Sequence, residues 1–392
     1  MILNGREIAR MKAGGHSETQ ILNTLESVLE KGRKGEPGGE RVDSFSLRDL
    51  YVTTVKDGYE SLMSMNPAYG DSFATEAVDS SFFSNITGQI IYSRINQGYM
   101  SEDFVFSNLI PNIPTPFLDG EKIPGMSGIG DDVETVGEGQ DYPELGFSDS
   151  YTETPRTTKR GGIVSVTREA IFADRTGLIL RRASELGNFL GLNKEKRLID
   201  IAIGATNTYT RNGTASDTYQ TSTPWINDQS NALTDWEELE ASWLLMRKMV
   251  DPDTGEHIML NGSDIVVSPA KAATLARILS ATQIRDIRGT VETLSSNPVG
   301  GFLGNVRAGN SQLFATRVET QLSVSASNSQ LYWIHGDFAK AFGYMEAFAM
   351  QTSQQGATSE QSFSRDIVAR YKASERGAAA VLEPRAVVRN KN

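Results

Sequence analysis

The chain contains no cysteine in 392 residues. Disulfide frameworks and thiolate metal sites are therefore excluded. Histidine is scarce as well: His16, His257 and His335 stand far apart in sequence, which argues against a multi-histidine metal centre. No window approaches the roughly 20 consecutive apolar residues that a membrane span requires. The opening MILNGREIARMKAGG lacks the apolar run of a signal peptide. The Asn-x-Ser/Thr triplets at Asn85, Asn212 and Asn261 are accordingly read as carrying no meaning, and a reducing cytoplasm, or a particle assembled there, is the expected location. Positive charge is also in short supply. Lys and Arg number 38 against 49 acidic residues, a net −11. Sequence-specific DNA binding needs a basic face to neutralise phosphates, so it is disfavoured. The charge suits a protein that sits near nucleic acid without adhering to it.

Missing too are a P-loop, a Gly-x-Gly-x-x-Gly after a strand and a Gly-x-Ser-x-Gly elbow. Gly125-Met126-Ser127-Gly128 resembles an elbow only faintly, since its closing Gly is misplaced and no strand is expected before it. Asp131-Asp132 with Glu134 has the carboxylates a hard cation wants, but a solvated acidic loop is the plainer reading. Asp251-Pro252-Asp253-Thr254-Gly255-Glu256 begins like a calcium loop, yet has Pro in second place and no distal Glu at the right spacing, so a turn is expected. His257 and His335 lie in or beside apolar strands and read as core-edge histidines. No catalytic residue, cofactor or metal is expected.

What is present is size and a highly charged arm. The length permits two or three domains and a sizeable core. Between Asp119 and Glu153 ten acidic residues face one lysine, Lys122, so this segment carries −9 of the chain's −11. Seven glycines fall between Gly120 and Gly146. So little apolar bulk cannot bury itself, and a long arm flanked by strong secondary structure is functional or disordered. We read it as an arm ordered by lying on a neighbouring copy. From Arg156 to Arg197 the balance reverses, with ten basic residues against four acidic, a net +6. This pairing of signs leads to an expected inter-subunit contact in which Asp131, Asp132, Glu134, Glu138 and Asp141 of one copy lie over Arg175, Arg181 and Arg182 of the next. Two independently solvated surfaces would account for the same charges.

Periodicity supplies the elements. Ser17 and Gln20 form a capping-box pattern before a helix over 17–30 with Ile21, Leu22, Leu25, Val28 and Leu29 on one face. Residues 31–40 are a charged, Gly-rich linker, and 41–100 mix aromatic with polar residues, with a helix near 74–97. Residues 109–114 are extended because each Pro biases its predecessor away from helix. Gly162 to Thr167 alternates as a strand. A long helix spans 174–203, capped by Asp174, with Leu178, Leu186, Phe189, Leu190, Leu198 and Ile201 at helical spacing; Gly177, Gly187 and Gly191 weaken it. Thr234 and Glu237 suggest a second capping box for a helix over 235–250, with Leu239, Trp243, Leu244 and Met246 as buried bulk. Asp264–Val267 is a strand, and Ser268-Pro269 opens a helix to about Leu279, with Ser as the cap. Strands follow at 331–334, 342–351, 363–373 and 378–388.

Three segments carry a resemblance. They are Val136-Gly137-Glu138-Gly139-Gln140-Asp141-Tyr142-Pro143; Thr158-Lys159-Arg160-Gly161-Gly162-Ile163-Val164-Ser165-Val166-Thr167-Arg168-Glu169; and Asp366-Ile367-Val368-Ala369-Arg370-Tyr371-Lys372 leading to Ala379-Ala380-Val381-Leu382-Glu383-Pro384-Arg385-Ala386-Val387. In their order and spacing, over roughly 100–390, the chain resembles the major capsid proteins of tailed bacteriophages with the Hong Kong 97-type fold. The resemblance implies an α+β fold with an N-terminal arm region to 116 bearing a short helix, and an extended loop (a hairpin) over 117–166. It implies a peripheral domain from 167–220 and 340–376 holding a long spine helix, and an axial domain from 221–339 and 377–392. The hairpin tip near Gln354–Gln361 would sit at a local threefold contact. Some members crosslink a lysine of the extended loop to a neighbour's asparagine. Here Asp149 follows Phe147-Ser148 where that lysine is sought, so assembly should rest on non-covalent contacts. The aromatics of 41–100 favour an N-terminal segment retained in the mature shell.

The implied function is that of a head protein assembling through hexamers and pentamers into an icosahedral shell around double-stranded DNA. Its partners would be copies of itself, a separate scaffold, a portal and decoration proteins, with no membrane, in a virion capsid built in the host cytoplasm. An encapsulin-like cellular compartment is the nearest alternative, and an α/β enzyme is the alternative of another class.

Overall fold

The computed structural model describes scattered positions between 8 and 37, then 88, 90–101, 103–125, 136, 138–139, 150–167, 178–207, 209–251, 255–260, 262–288, 291–299, 306–355 and 367–391. From residue 103 on, its helices among the described residues are α1 (Phe106–Leu109), α2 (Leu178–Ala202), α3 (Trp236–Arg247), α4 (Pro269–Ser280), α5 (Gln312–Leu322), α6 (Ala326–Ser329) and α7 (Phe338–Ala341). Strands β1 (Asn112–Pro114), β2 (Lys122–Pro124), β3 (Tyr151–Glu153), β4 (Thr158–Thr167), β5 (Thr210–Arg211), β6 (Thr214–Ala215) and β7 (Asp228–Ser230) precede α3. After it come β8 (Asp264–Val267), β9 (Gln283–Arg288), β10 (Val291–Ser296), β11 (Arg307–Asn310), β12 (Trp333–Gly336), β13 (Phe342–Gln355), β14 (Ile367–Val381) and β15 (Val387–Lys391). The class is α+β. The chain divides into two compact units, 1–102 with 159–193 and 348–375, and 103–158 with 194–347 and 376–392.

In the first unit the expected capping box forms: Ser17 N donates to Gln20 Oε1 at 3.1 Å and Gln20 N to Ser17 Oγ at 3.3 Å. Ile21 and Val28 of that helix are buried. Of the helix expected at 74–97, residues 90–99 are helical with Ile90, Ile91 and Ile95 buried, and 74–87 lie outside the described residues. This helix meets α2 through glycine. A Cβ on Gly98 would lie 2.3 Å from the Ser184 carbonyl oxygen, and one on Gly187 would lie 2.0 Å from that of Ile95. Ala183 on α2 is likewise fully buried. The Gly161-Gly162 pair of β4 has the same origin: Cβ atoms there would strike the Ala373 carbonyl and Leu186 Cδ1, each at 2.5 Å.

The second unit is built on a five-stranded sheet in the order β11-β8-β12-β15-β7. β8 and β12 are buried along their whole length, which is why Asp264–Val267 reads as continuous rather than alternating. Val266 and Ile334 join one core with Phe106, Phe314 and Phe338. Ile265, Val267 and Trp333 join another with Leu275 and Ile278 of α4 and Leu239 of α3. Helices thus cover both faces, and burial of this area is the main stabilising term. β15 lies between β12 and β7, antiparallel to the first and parallel to the second. Asp228 is held there by Arg389 (Nη2 to Oδ2, 2.8 Å) and Lys391 (2.7 Å). Burial works to raise the Asp228 carboxyl, but these two cations outweigh it and hold it below the usual carboxylate range.

Several boundaries differ from the sequence expectation. The capping box of α3 uses Asp235 and Glu238, one residue later than Thr234 and Glu237. Leu244 is 42% exposed instead of buried, and Trp243 stacks under Arg247 with the guanidinium 4.8 Å from its ring centre. Ser268 occupies the N-cap of α4 but its hydroxyl donates to the Gln330 carbonyl and makes no cap. Phe189 is 63% exposed. Leu109 ends a short helix where extended backbone was expected. The strand expected at 331–334 is Trp333–Gly336. The strand expected to run unbroken over 378–388 is two: β14 continues to Val381, Pro384–Ala386 turns as 3-10 helix, and β15 begins at Val387. Pro384 has no N–H for a ladder. Arg385 folds back onto Glu383 at 2.6 Å, both buried.

Candidate assembly site

The charged arm has a rigid root. β2 pairs antiparallel with β3, matching Lys122 to Glu153 and Pro124 to Tyr151. β3 continues to β5 and β5 to β6. Gly125 N donates to Ser150 O at 2.9 Å, so the arm leaves at 125 and returns at 150 at one point. Below the strands, Thr154 N donates to Glu121 O at 2.9 Å and Thr157 N to Leu118 O at 3.0 Å. Arg211 Nε reaches Ser150 Oγ at 2.8 Å. Thr152, Thr154 and Thr157 are buried along this seam, and Arg376 Nε donates to Thr157 Oγ1 at 3.1 Å. These carbonyls and hydroxyls at the root are thus paired, as buried polar groups generally are.

At the root the charges are locally matched. Lys122 Nζ stands 3.8 Å from Glu153 and 4.1 Å from the Tyr151 ring centre, and Arg156 lies 3.1 Å from Asp119. Both ion pairs are open to solvent and add little stability. Beyond the root, Glu138 lies in an exposed turn beside Gly139, whose φ of +85° is the left-handed region that glycine adopts without strain. Asp131, Asp132, Glu134 and Asp141 lie outside the described residues, as do Met126, Ser127 and Gly128. A strand, β2, does precede the elbow-like Gly125.

On the basic side, Arg181 is exposed on the first turns of α2, Arg182 follows it, and Arg175 lies outside the described residues. Glu138 and Arg181 belong to different units of the chain. The distal part of the basic stretch is not surface. Lys194 is 5% exposed, its Nζ donating to Asn112 Oδ1 at 2.9 Å and lying 4.3 Å from the Tyr344 ring centre. Arg197 donates to the Tyr344 hydroxyl at 3.3 Å. Glu195, 1% exposed, accepts from Phe106 N at 2.7 Å and Ser107 N at 2.8 Å and so caps α1. Sequence reading missed these roles. The signal available was the charged run Lys194-Glu195-Lys196-Arg197 set inside the long helix directly before the apolar Leu198-Ile199.

No metal centre appears among the described residues: no group of three or more His, Asp or Glu could hold an ion. His257 is exposed and sits on the bridge to Val250 that closes the expected turn. His335 is fully buried in the sheet, so it is a core histidine and not one at its edge.

Comparisons with known proteins follow the same line. No curated protein matches the chain in sequence. Solved structures resembling it include the capsid of the cyanophage P-SCSP1u, 13% identical, with a TM-score of 0.44 over 74% of this chain and 88% of that one. Mycobacterium phage Ogopogo is 16% identical, with a TM-score of 0.42 over 73% and 91%. A virus-like particle from Pyrococcus furiosus is 11% identical, with a TM-score of 0.41 over 76% and 97%. Such low similarity carries no argument by itself. The model of the phage capsid protein family matches residues 150–390, well over half of the chain. The matched span holds β4, α2, the two-faced sheet and the β13–β14 pair, and the chain therefore belongs to the phage capsid protein family, as a structural protein of the viral shell.

Proposed function

We propose that the chain is a major capsid protein of Hong Kong 97 type that closes, through hexamers and pentamers, into an icosahedral shell around double-stranded DNA. The observation that carries this reading, beside the family match, is the arm's construction. A hydrogen-bonded root from β2, β3 and β5 brackets residues 126–149, the stretch whose sequence carries most of the chain's net negative charge. The arm is the extended loop, and the stretch bearing Arg175, Arg181 and Arg182 is its seat on the next copy. Each such pair is weak in water. Repeated around a closed shell, they set register and partner choice.

In this reading 167–220 and 340–376, with α2, form the peripheral domain, and the five-stranded sheet belongs to the axial domain. A separate scaffold, a portal and decoration proteins complete the particle, assembled in the host cytoplasm. DNA is enclosed without sequence-specific contact, which suits the net charge of −11. The work is mechanical and involves no catalysis. The family match does not favour the encapsulin-like alternative.

Negative-stain microscopy of the expressed chain tests the reading directly: closed particles are expected, and a lone monomer would refute it. Reversing the seat with Arg181→Glu and Arg182→Glu should lower particle yield at least tenfold while circular dichroism stays that of the unmodified chain. Normal shells from this variant would place the arm elsewhere.

A further inference from the structure

The hairpin of β9 and β10 forms a two-stranded sheet of its own among the described residues of the second unit. Its strands pair with each other, Asp286 facing Thr293 and Leu294 facing Arg285. Among the described residues neither outer edge joins a further strand. The two strands read QIRDIR and VETLSS, with four apolar residues among twelve. Leu294 is 74% exposed. An isolated two-stranded hairpin of this kind is marginal in water.

The root of the hairpin is nevertheless fixed. Asn297 Nδ2 donates to the Ile278 and Ala281 carbonyls, each at 2.8 Å, at the end of α4. Asn297 N donates to Thr282 O at 3.1 Å, its Oδ1 accepts from Val299 N at 3.1 Å, and Val299 is buried. A firm root thus carries two backbone edges that no further strand joins among the described residues. β10 (VETLSS) also lacks the Lys or Pro that shields edge strands from pairing with other chains.

We propose that this hairpin is an assembly element: the β9 edge of one copy pairs with the β10 edge of the next, extending the ladder head to tail around a capsomer. The occupant is a second copy of this chain, and the inference rests on the shell-building reading above. The edges differ in charge. β9 carries Arg285, Asp286 and Arg288, a net +1, and β10 carries Glu292 alone, a net −1. Unlike edges therefore meet more favourably than like ones. Repeated contact between unlike surfaces closes a ring, whereas like edges give only pairs.

Two experiments test it. Replacing 284–295 by Asn-Gly shortens the hairpin to a tight turn above the Gln283–Ser296 pair and the Asn297 clamp. The truncated chain should fold, by circular dichroism, and yield at least tenfold fewer closed particles; unchanged yield overturns the proposal. The second experiment uses the absence of native cysteine. Asp286→Cys and Thr293→Cys chains of different tag length are mixed, assembled and oxidised. Disulfides joining unlike variants should exceed those joining like variants tenfold, whether or not the truncation folds. Equal or like-only linkage, or none in assembled particles, overturns it. If the unmodified chain forms no particles, the shell reading itself fails; normal particles from the truncated chain refute the hairpin alone.

Discussion

His335 shows what one residue can conceal in a sheet. Its Nε2–H donates to the Gly262 carbonyl at 2.9 Å, and Nδ1 faces Ser242 Oγ at 3.3 Å, which in turn accepts from Asn390 Nδ2 at 3.2 Å. This network ties α3 and β12 to β15. Burial pushes the imidazole pKa down to about 4, although the Gly262 carbonyl pulls the other way. In the unfolded chain it titrates near 6.5. Between these values the unfolded chain binds a proton that the folded one refuses, so stability falls as pH drops through that window and is flat above it. The loss is on the order of 3 kcal/mol by pH 4. Urea midpoints at pH 7.5 and 5 should therefore differ more for the unmodified chain than for His335→Gln; equal differences would show that the ring is not the group titrating. Sequence located this histidine beside apolar strands but could not place it in the middle of a sheet, because that depends on β15 arriving from far along the chain. The same holds for Lys194, counted as surface charge in sequence and found against Tyr344.

Among the elements, the glycines of α2 invert their sequence meaning. An exposed helical Gly costs about 1 kcal/mol relative to Ala, so Gly187→Ala would ordinarily stabilise. Here the added methyl would meet the Ile95 backbone at 2.0 Å. Overpacking of this sort costs typically 1–3 kcal/mol. Gly187→Ala should therefore lower the melting temperature and speed proteolysis around residues 90–99; a rise would mean that the two helices separate freely. Elements with strong local signals were legible: α2, α4, β8 and β13 stand within a few residues of their expected places, while β14 runs on to Val381 where an end at 373 was expected. Less legible were features decided by distant partners. The α3 cap moved by one residue because Asp235, not Thr234, faces the free N–H groups. Phe189 fitted the helical spacing yet points to solvent.

For the whole molecule, order carried more information than any motif. An acidic arm, a strand, a long helix, a mixed sheet and a long strand pair in sequence already resembled a capsid protein, and the family match confirms it. What sequence could not supply is the neighbour on which the arm is proposed to lie. If opposite charge guides that contact, its range is the Debye length, which contracts from about 10 Å at 0.1 M salt to about 3 Å at 1 M. Light scattering should show assembly of the unmodified chain slowing across that range, and the Arg181→Glu, Arg182→Glu chain responding far less. Salt-independent assembly would assign the contact to apolar surface.

One arrangement has a bearing on timing. β15, residues 387–391, is an interior strand whose partners β7 and β12 are made much earlier. Without residues 387–391 the sheet has a gap between β12 and β7, and the core that Val387 and Val388 fill loses them. A product interrupted before Val387 is therefore expected to leave the sheet unfinished.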